Sequence, residues 1–273
     1  MKITTLPLAT AGHQTKAILT AYLQTPTPKS PVQAFEPLLI VPGGSMTHIP
    51  EEETEKTALA FAARGFQVFV LRYSFLADQA PLYPAPLIDL TLAIGTIKEH
   101  LADWHLTDRL HLLCFSAGGQ IGALYNDYWD SEWLEEASGL PKERRAFADL
   151  VLGYPVIDFN AGFPTTAVTR AEWTDDPEKY SASQHVTASN RPTFIWATVD
   201  DPVVPVQNSL NYFLAQQKQN ISQEIHLFEH GPHGMDIANP LVAYHEDGAQ
   251  PHVAHWVEMA TEWMQGDHRQ FAD

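Results

Sequence analysis

The stretch Leu110-His-Leu-Leu-Cys-Phe-Ser116-Ala-Gly-Gly119 decides how this chain is read. Four of the five residues from His111 to Phe115 are apolar and Asp108-Arg109 opens the run, which predicts a strand buried on both faces. Two glycines followed by Ile121, Ala123 and Leu124 predict a helix packed close behind it. Ser116 falls on the bend. A serine between a buried strand and a helix N-terminus is pushed out above the sheet, with backbone N–H groups directed at any oxygen that approaches. That is the geometry of an acyl-transfer nucleophile. The run Cys-Phe-Ser-Ala-Gly is one residue away from G-x-S-x-G, with Cys114 where the first glycine usually stands. The departing helix passes over that position, so it must be small, and a thiol is compact. Alone, a serine before small residues is an ordinary turn or helix cap; the rest of the chain changes that reading.

With 273 residues, 45% hydrophobic and 18% charged, the chain is long enough for one large core, and a single α/β domain over 1–273 is the economical expectation. A net charge of −17 repels nucleic-acid phosphate and acidic lipid headgroups, so neither is expected as a partner and a small neutral substrate is favoured. A homodimer is left open. One cysteine excludes an internal disulfide and fits a reducing compartment. Met1-Lys-Ile-Thr-Thr-Leu-Pro has no continuous apolar segment of the leader type, and no apolar run approaches the ~20 residues of a membrane span. The expectation is a cytoplasmic protein.

Residues 3–8 and 16–23 alternate as an antiparallel edge, and 25–31 form a proline-rich turn or loop. Pro37–Pro42 reads as a buried strand ending in Gly43-Gly44-Ser45. A helix carrying Ala58, Phe61 and Ala62, stopped by Gly65, leads to the strand Phe66–Arg72. A helix with Leu90, Ala93, Ile94, Ile97 and Leu101 on one face precedes the Ser116 strand. Strands are expected again at Leu150–Pro155, Pro192–Thr198 and Glu224–Glu229, with a helix of Val206, Leu210, Phe213 and Leu214 between the last two. A final helix shows Val253, Trp256, Val257, Ala260 and Met264 on one face. Strand and helix alternate as in a mostly parallel sheet covered on both faces. Residues 158–191 lack periodicity and are expected as a short insertion over the site.

In a doubly wound sheet ligands bind at the C-terminal edge of the strands. Four strand ends there carry Gly43-Gly44-Ser45, Ser116, Asp201 and His233, in the chain order Ser, Asp, His of an α/β-hydrolase triad. His233 would take the Ser116 proton, Asp201 would fix the imidazole, and the N–H groups of Gly44, Ser45 and Ala117 would receive the oxyanion. Asp200 and His230 are the rivals for the acid and the base. Asp201 is preferred because it stands three residues before Val204-Pro205, and His233 because Gly-Pro and Gly flank it on a loop; a helix cap is the bland reading of Asp201. Gly43, Met46, Tyr83 and Trp173 are candidates for the substrate pocket, though ordinary packing explains the aromatics nearly as well. No metal is expected. His252 and His255 are three apart with His245-Glu-Asp before them, but chance spacing is the commoner origin among 13 histidines. Cys114 is expected as a packed, unreactive thiol, and Asp89 as a dipole-complementing or loop-tethering carboxylate.

The runs Val41–Glu53 and Ala60–Ser74 resemble the bacterial acetyl-esterase branch of the α/β-hydrolases, related to acetyl-xylan esterases and hormone-sensitive-lipase-like carboxylesterases. Tyr83–Asp89, Tyr154-Pro-Val-Ile, Pro192–Trp196, Asp201–Pro205 and Gly231–Gly234 resemble the same branch. The resemblance spans roughly residues 37 to 236. It implies the α/β-hydrolase fold and cofactor-free hydrolysis of short, acetyl-type esters of sugars or aryl alcohols by a serine carboxylesterase. Ser45, Met46 and Cys114 depart from the family, which usually has glycine, tyrosine and glycine there. Two other readings use the same residues: an arylformamidase-like amide hydrolase and a non-catalytic binding protein. A third reading, a peptidase related to prolyl oligopeptidases, is disfavoured because the extra domain that usually screens peptide access is not expected in this sequence.

Overall fold

The computed structural model describes residues 1–9, 13, 15–244 and 246–266. In chain order the strands are β1 (Lys2–Pro7), β2 (Ile18–Leu23), β3 (Glu36–Val41), β4 (Phe66–Arg72), β5 (His111–Phe115), β6 (Asp149–Gly153), β7 (Thr193–Thr198) and β8 (Gln223–Phe228). The helices are α1 (Glu51–Ala62), α2 (Ala85–Glu99), α3 (Ser116–Tyr128), α4 (Glu132–Ser138), α5 (Lys142–Arg145), α6 (Ala167–Trp173), α7 (Gln207–Lys218), α8 (Pro251–Ala254) and α9 (Trp256–Gln265). The strands form one sheet in the order β1-β2-β4-β3-β5-β6-β7-β8. β1 and β2 are an antiparallel edge, and every pairing from β4 to β8 is parallel. None of the described helices is long and apolar enough to cross a membrane.

Side chains alternate across the sheet, and each face meets its own helices. Leu39, Val41, Leu112, Cys114, Leu150, Leu152 and Ile195 pack with α2 and α3 on one side. Leu38, Ile40, Leu113, Phe115, Val151, Phe194 and Trp196 pack with α1 and α9 on the other. This two-sided burial is why the central strands read as unbroken apolar runs. The last helical segment buries all five of its expected residues, split between α8 and α9.

Three details differ from the sequence reading. Leu101 lies past the end of α2, which closes at His100 in a turn. The buried face of α7 is Asn208, Ser209, Tyr212 and Gln216, while Leu214 is exposed. These polar side chains bind what lies beneath: Asn208 accepts from the N–H groups of Ile157 and Asp158 in the loop after β6, and Gln216 donates to Thr193 at the start of β7. The third is the 158–191 insertion, which contains α6 and a 3₁₀ turn at Ala182–Gln184. It docks over α2 and α3, with Leu82 and Tyr83 donating to the Trp173 carbonyl and Gln120 donating to that of Tyr180.

The elbow is set by close packing. A methyl on Gly118 would come within 2.3 Å of the Val41 and Pro42 carbonyl oxygens, so α3 leaves β5 almost in contact with the end of β3. A methyl on Gly122 would meet Cys114 Sγ at 2.5 Å. The bulk that Cys114 adds in β5 is therefore accommodated by a missing side chain in α3. Burial pushes the Cys114 thiol pKa far up, leaving it inert.

At the opposite, N-terminal edge, His111 is fully buried between Asp149, 2.7 Å from Nδ1, and Glu36, 3.2 Å from Nε2. Arg109 joins Glu36 at 3.3 Å and donates to the Gly266 carbonyl at 2.8 Å. Burial alone would lower the His111 pKa, but the two carboxylates outweigh it and raise it from 6.5 to about 9.

Two stability measurements follow. A group with a raised folded-state pKa stabilises fully below its unfolded value and loses that contribution as pH climbs through the folded one. Thermal midpoints should therefore fall for the wild type between 6.5 and about 9, and this component of the slope should be missing in His111→Gln. Gly122→Ala should lower urea-unfolding stability by about 1–3 kcal/mol despite alanine's better helix propensity. Cys114→Ala should recover part of that loss, whereas strict additivity in the double-mutant cycle would refute the proposed packing.

Candidate active site

β5 delivers Ser116 at the centre of the C-terminal edge. Phe115 is still extended, and Ser116 turns to a φ of +51°, a left-handed conformation costly for a residue with a Cβ. That turn brings its hydroxyl out of line with the strand while α3 starts at once. Ser116 is 7% exposed. On the far side of β6, β7 ends at Thr198 and the next loop carries Asp201, while the loop after β8 carries His233.

The three side chains meet. Ser116 Oγ lies 2.7 Å from His233 Nε2, and His233 Nδ1 lies 2.7 Å from Asp201 Oδ2. Facing a carboxylate, Nδ1 carries the proton, which leaves Nε2 to accept from the serine hydroxyl. The Asp201 side chain is 1% exposed and that of His233 is 16% exposed. Asp201 Oδ1 accepts from the N–H groups of Val203 and Val204 at 2.8 and 2.9 Å. Asp201 therefore does not cap α7, whose N-cap is Val206 with no side-chain bond; one of its oxygens closes the turn before that helix and the other faces His233.

The rivals pair with each other outside this relay. His230 Nδ1 lies 3.0 Å from Asp200 Oδ2, and Asp200 Oδ1 accepts from the Gly231 N–H at 2.9 Å. The hydrogen bond from His230 lowers the Asp200 pKa, and Asp200 in turn raises that of His230. Both are exposed, and with Thr198, whose hydroxyl donates to the Gly231 carbonyl at 2.8 Å, they tether the start of the His233 loop.

The loop after β3 lies beside the serine. A methyl on Gly43 would come 3.0 Å from Ser116 Cβ and 3.6 Å from Oγ. Gly44, Ser45 and Met46 all have positive φ, +113°, +53° and +62°, so this loop bends back on itself. Among the described residues none accepts a hydrogen bond from the backbone N–H of Gly44, Ser45 or Ala117. The carbonyls of Pro42 and Gly43 accept from Tyr73 Oη at 3.1 and 3.2 Å. This buried phenol, missed as a site residue in the sequence, braces the loop; its signal was a tyrosine one residue past β4.

The remaining pocket candidates are enclosed. Met46 and Trp173 are fully buried and Tyr83 nearly so. Tyr83 donates to Gln120 at 3.1 Å and stacks on Tyr180, and Trp173 packs against Phe159 and Phe163. Asp89 accepts from the Ser74 N–H at 2.7 Å and lies 3.0 Å from His13 Nε2, tying two loops to α2. The rings of His252 and His255 stand 6.0 Å apart, His245 lies outside the described residues, and among the described residues no three His, Cys, Asp or Glu side chains are grouped to hold a metal.

The BD-FAE family model matches residues 23–215. Over 213 residues, 74% of the chain, it is 30% identical to endo-1,4-beta-xylanase B of Butyrivibrio fibrisolvens; the chain spans about a third of that relative's length, 33%. The carboxylesterase Cest-2923 from Lactobacillus plantarum WCFS1 is 32% identical and superposes with a TM-score of 0.90 over 97% of both chains. An acetyl ester-xyloside bifunctional hydrolase from Caldicellulosiruptor lactoaceticus is 27% identical, with a TM-score of 0.75 over 95% of this chain and 91% of that one. With a parallel sheet, a strand-to-helix serine and a family match over most of its length, the chain belongs to the BD-FAE family and has the α/β-hydrolase fold.

Proposed function

We propose that this chain is a serine carboxylesterase acting on short, acetyl-type esters through an acyl-enzyme at Ser116. The observation that carries the reading is the unbroken relay of two 2.7 Å contacts from Ser116 through His233 to Asp201. His233 Nε2 takes the hydroxyl proton as Ser116 Oγ attacks the acyl carbon, then returns it to the departing alcohol oxygen. Water repeats the sequence on the acyl-enzyme and frees the acid. General-base help of this kind is worth roughly 10²–10⁴ in rate. Asp201 supports the imidazolium and holds its tautomer. The N–H groups of Gly44, Ser45 and Ala117 are assigned to the oxyanion, where one donor is commonly worth about 10²–10³ in turnover.

Among the sugar and aryl alcohols that the family resemblance implies, sugars are favoured because the relatives include a xylanase and an acetyl ester-xyloside hydrolase. A chain of net charge −17 also favours a neutral substrate. Small acyl groups fit a nucleophile only 7% exposed, with Gly43 against it and Met46 closed behind the loop.

A fluorophosphonate probe should label the wild type and fail on Ser116→Ala; a folded wild type that takes no label would favour a binding protein. On p-nitrophenyl esters, acetate should exceed longer chains, and His233→Ala should cut kcat by at least ~10²-fold with KM little changed. Matched acetyl-ester and formyl-aniline substrates decide between esterase and amide hydrolase, with the ester expected to be faster. Gly43→Ala, which sets a methyl against Ser116 Cβ and Oγ, should lower kcat/KM and tolerate bulky acyl groups least.

A further inference from the structure

The loop that carries His233 has a second anchor that the relay does not use. Three residues on, Asp236 is 7% exposed and held at a φ of +47°. Its Oδ1 accepts from Tyr154 Oη at 2.7 Å, its own N–H donates back to that oxygen at 3.1 Å, and its carbonyl accepts from Trp256 Nε1 at 2.9 Å. Tyr154 follows β6 at a φ of +37°, with its N–H on the Trp196 carbonyl at 2.7 Å. Its ring stands nearly perpendicular to the His233 imidazole, centroids 4.9 Å apart, and stacks at 5.7 Å on Phe115, the residue before the nucleophile. One phenol therefore touches the base, the strand beneath the serine and the loop that holds the base.

A carboxylate in this aromatic layer is expensive unless it has a task, because burial disfavours its charge. We infer that Tyr154 and Asp236 are a positioning pair for His233, the ring fixing the imidazole plane and the carboxylate steadying the imidazolium that forms when Ser116 gives up its proton. The inference rests on the esterase reading for its kinetic part only. The groups facing Asp236 are Tyr154 from the end of β6, His233 on its own loop, Glu53 from α1, and Tyr244. Burial raises the Asp236 pKa from 3.8 to about 6, the Tyr154 hydrogen bond and His233 opposing the rise and Glu53 adding to it.

Asp236→Asn keeps shape and the oxygen that Tyr154 needs, but removes the charge. Its kcat on p-nitrophenyl acetate should fall several-fold at neutral pH with KM unchanged, and the acid limb of kcat/KM should move to lower pH by about half a unit or more. Tyr154→Phe keeps the ring and drops the hydroxyl; it should lower kcat by roughly tenfold and slow fluorophosphonate labelling without changing its final extent. The NMR titration of the His233 ring protons should move in the same direction as the limb in Asp236→Asn, a readout that needs no turnover. A purely structural role would lower the thermal midpoint and leave limb and titration in place. Wild-type limb, kcat and titration in Asp236→Asn overturn the inference, and if that variant does not fold, an unchanged kcat in Tyr154→Phe does so. If the wild type neither turns over nor takes the probe while the titration still shifts, it is the esterase reading that fails.

Discussion

Everything at the site depends on Ser116 staying at a φ of +51°. Such a residue costs of the order of 1–3 kcal/mol and persists only where its surroundings over-determine it. Here they do so by contact. α3 can start on Ser116 only because Gly118 lets it run against the Val41 and Pro42 carbonyls, and Gly119 faces Pro155 just as closely. Straightening the bend would drive the first turn of α3 into β3 or β6. The core thus holds the hydroxyl above the sheet, and α3, being fixed, keeps the Ala117 N–H beside it.

The other two relay members sit on loops and are held differently. Asp201 is fixed by two backbone N–H groups of its own turn, a local device that needs only the residues after it. The His233 loop is pinned on both sides, by Asp200 and Thr198 before the histidine and by Tyr154 and Trp256 after it. Fixing the loop through flanking residues leaves both His233 ring nitrogens to Ser116 and Asp201.

What could be read from the chain follows from these two modes of fixation. Strands β3 to β7 are buried on both faces, so their middles are continuous apolar runs, with Glu36, His111 and Asp149 confined to their N-terminal ends; the elbow glycines are equally visible, since close approach leaves no alternative residue. His233 stood apart from His230 by its flanking Gly-Pro and Gly, because a loop's shape is written in its prolines and glycines, and Asp201 from Asp200 by its family-like spacing from Val204-Pro205. The insertion resisted because α6 buries only Trp173, and one buried residue makes no period. α7 misled for a related reason. Its inward face is polar, serving the loop ends at Ile157 and Asp158, so an apolar stripe could not locate it. Asp236 and Tyr73 were silent because a single polar residue acquires its meaning from a partner far away in sequence.

Two histidine–aspartate pairs, His111–Asp149 and His233–Asp201, stand at opposite edges of the sheet, and comparing them shows what separates a relay from a brace. His111 has carboxylates on both nitrogens and is fully buried; with two negative charges and a pKa raised to about 9 it stays protonated at neutral pH, so neither nitrogen can accept a proton. His233 has one carboxylate, one hydroxyl and a partly exposed ring. Replacing the second carboxylate by a serine oxygen turns a permanently charged strut into an acceptor. The pairing distance of 2.7 Å to aspartate is the same in both. The chemistry is therefore decided on the other nitrogen, by whether the side chain opposite is a carboxylate that holds a proton on the ring or a hydroxyl that can surrender one.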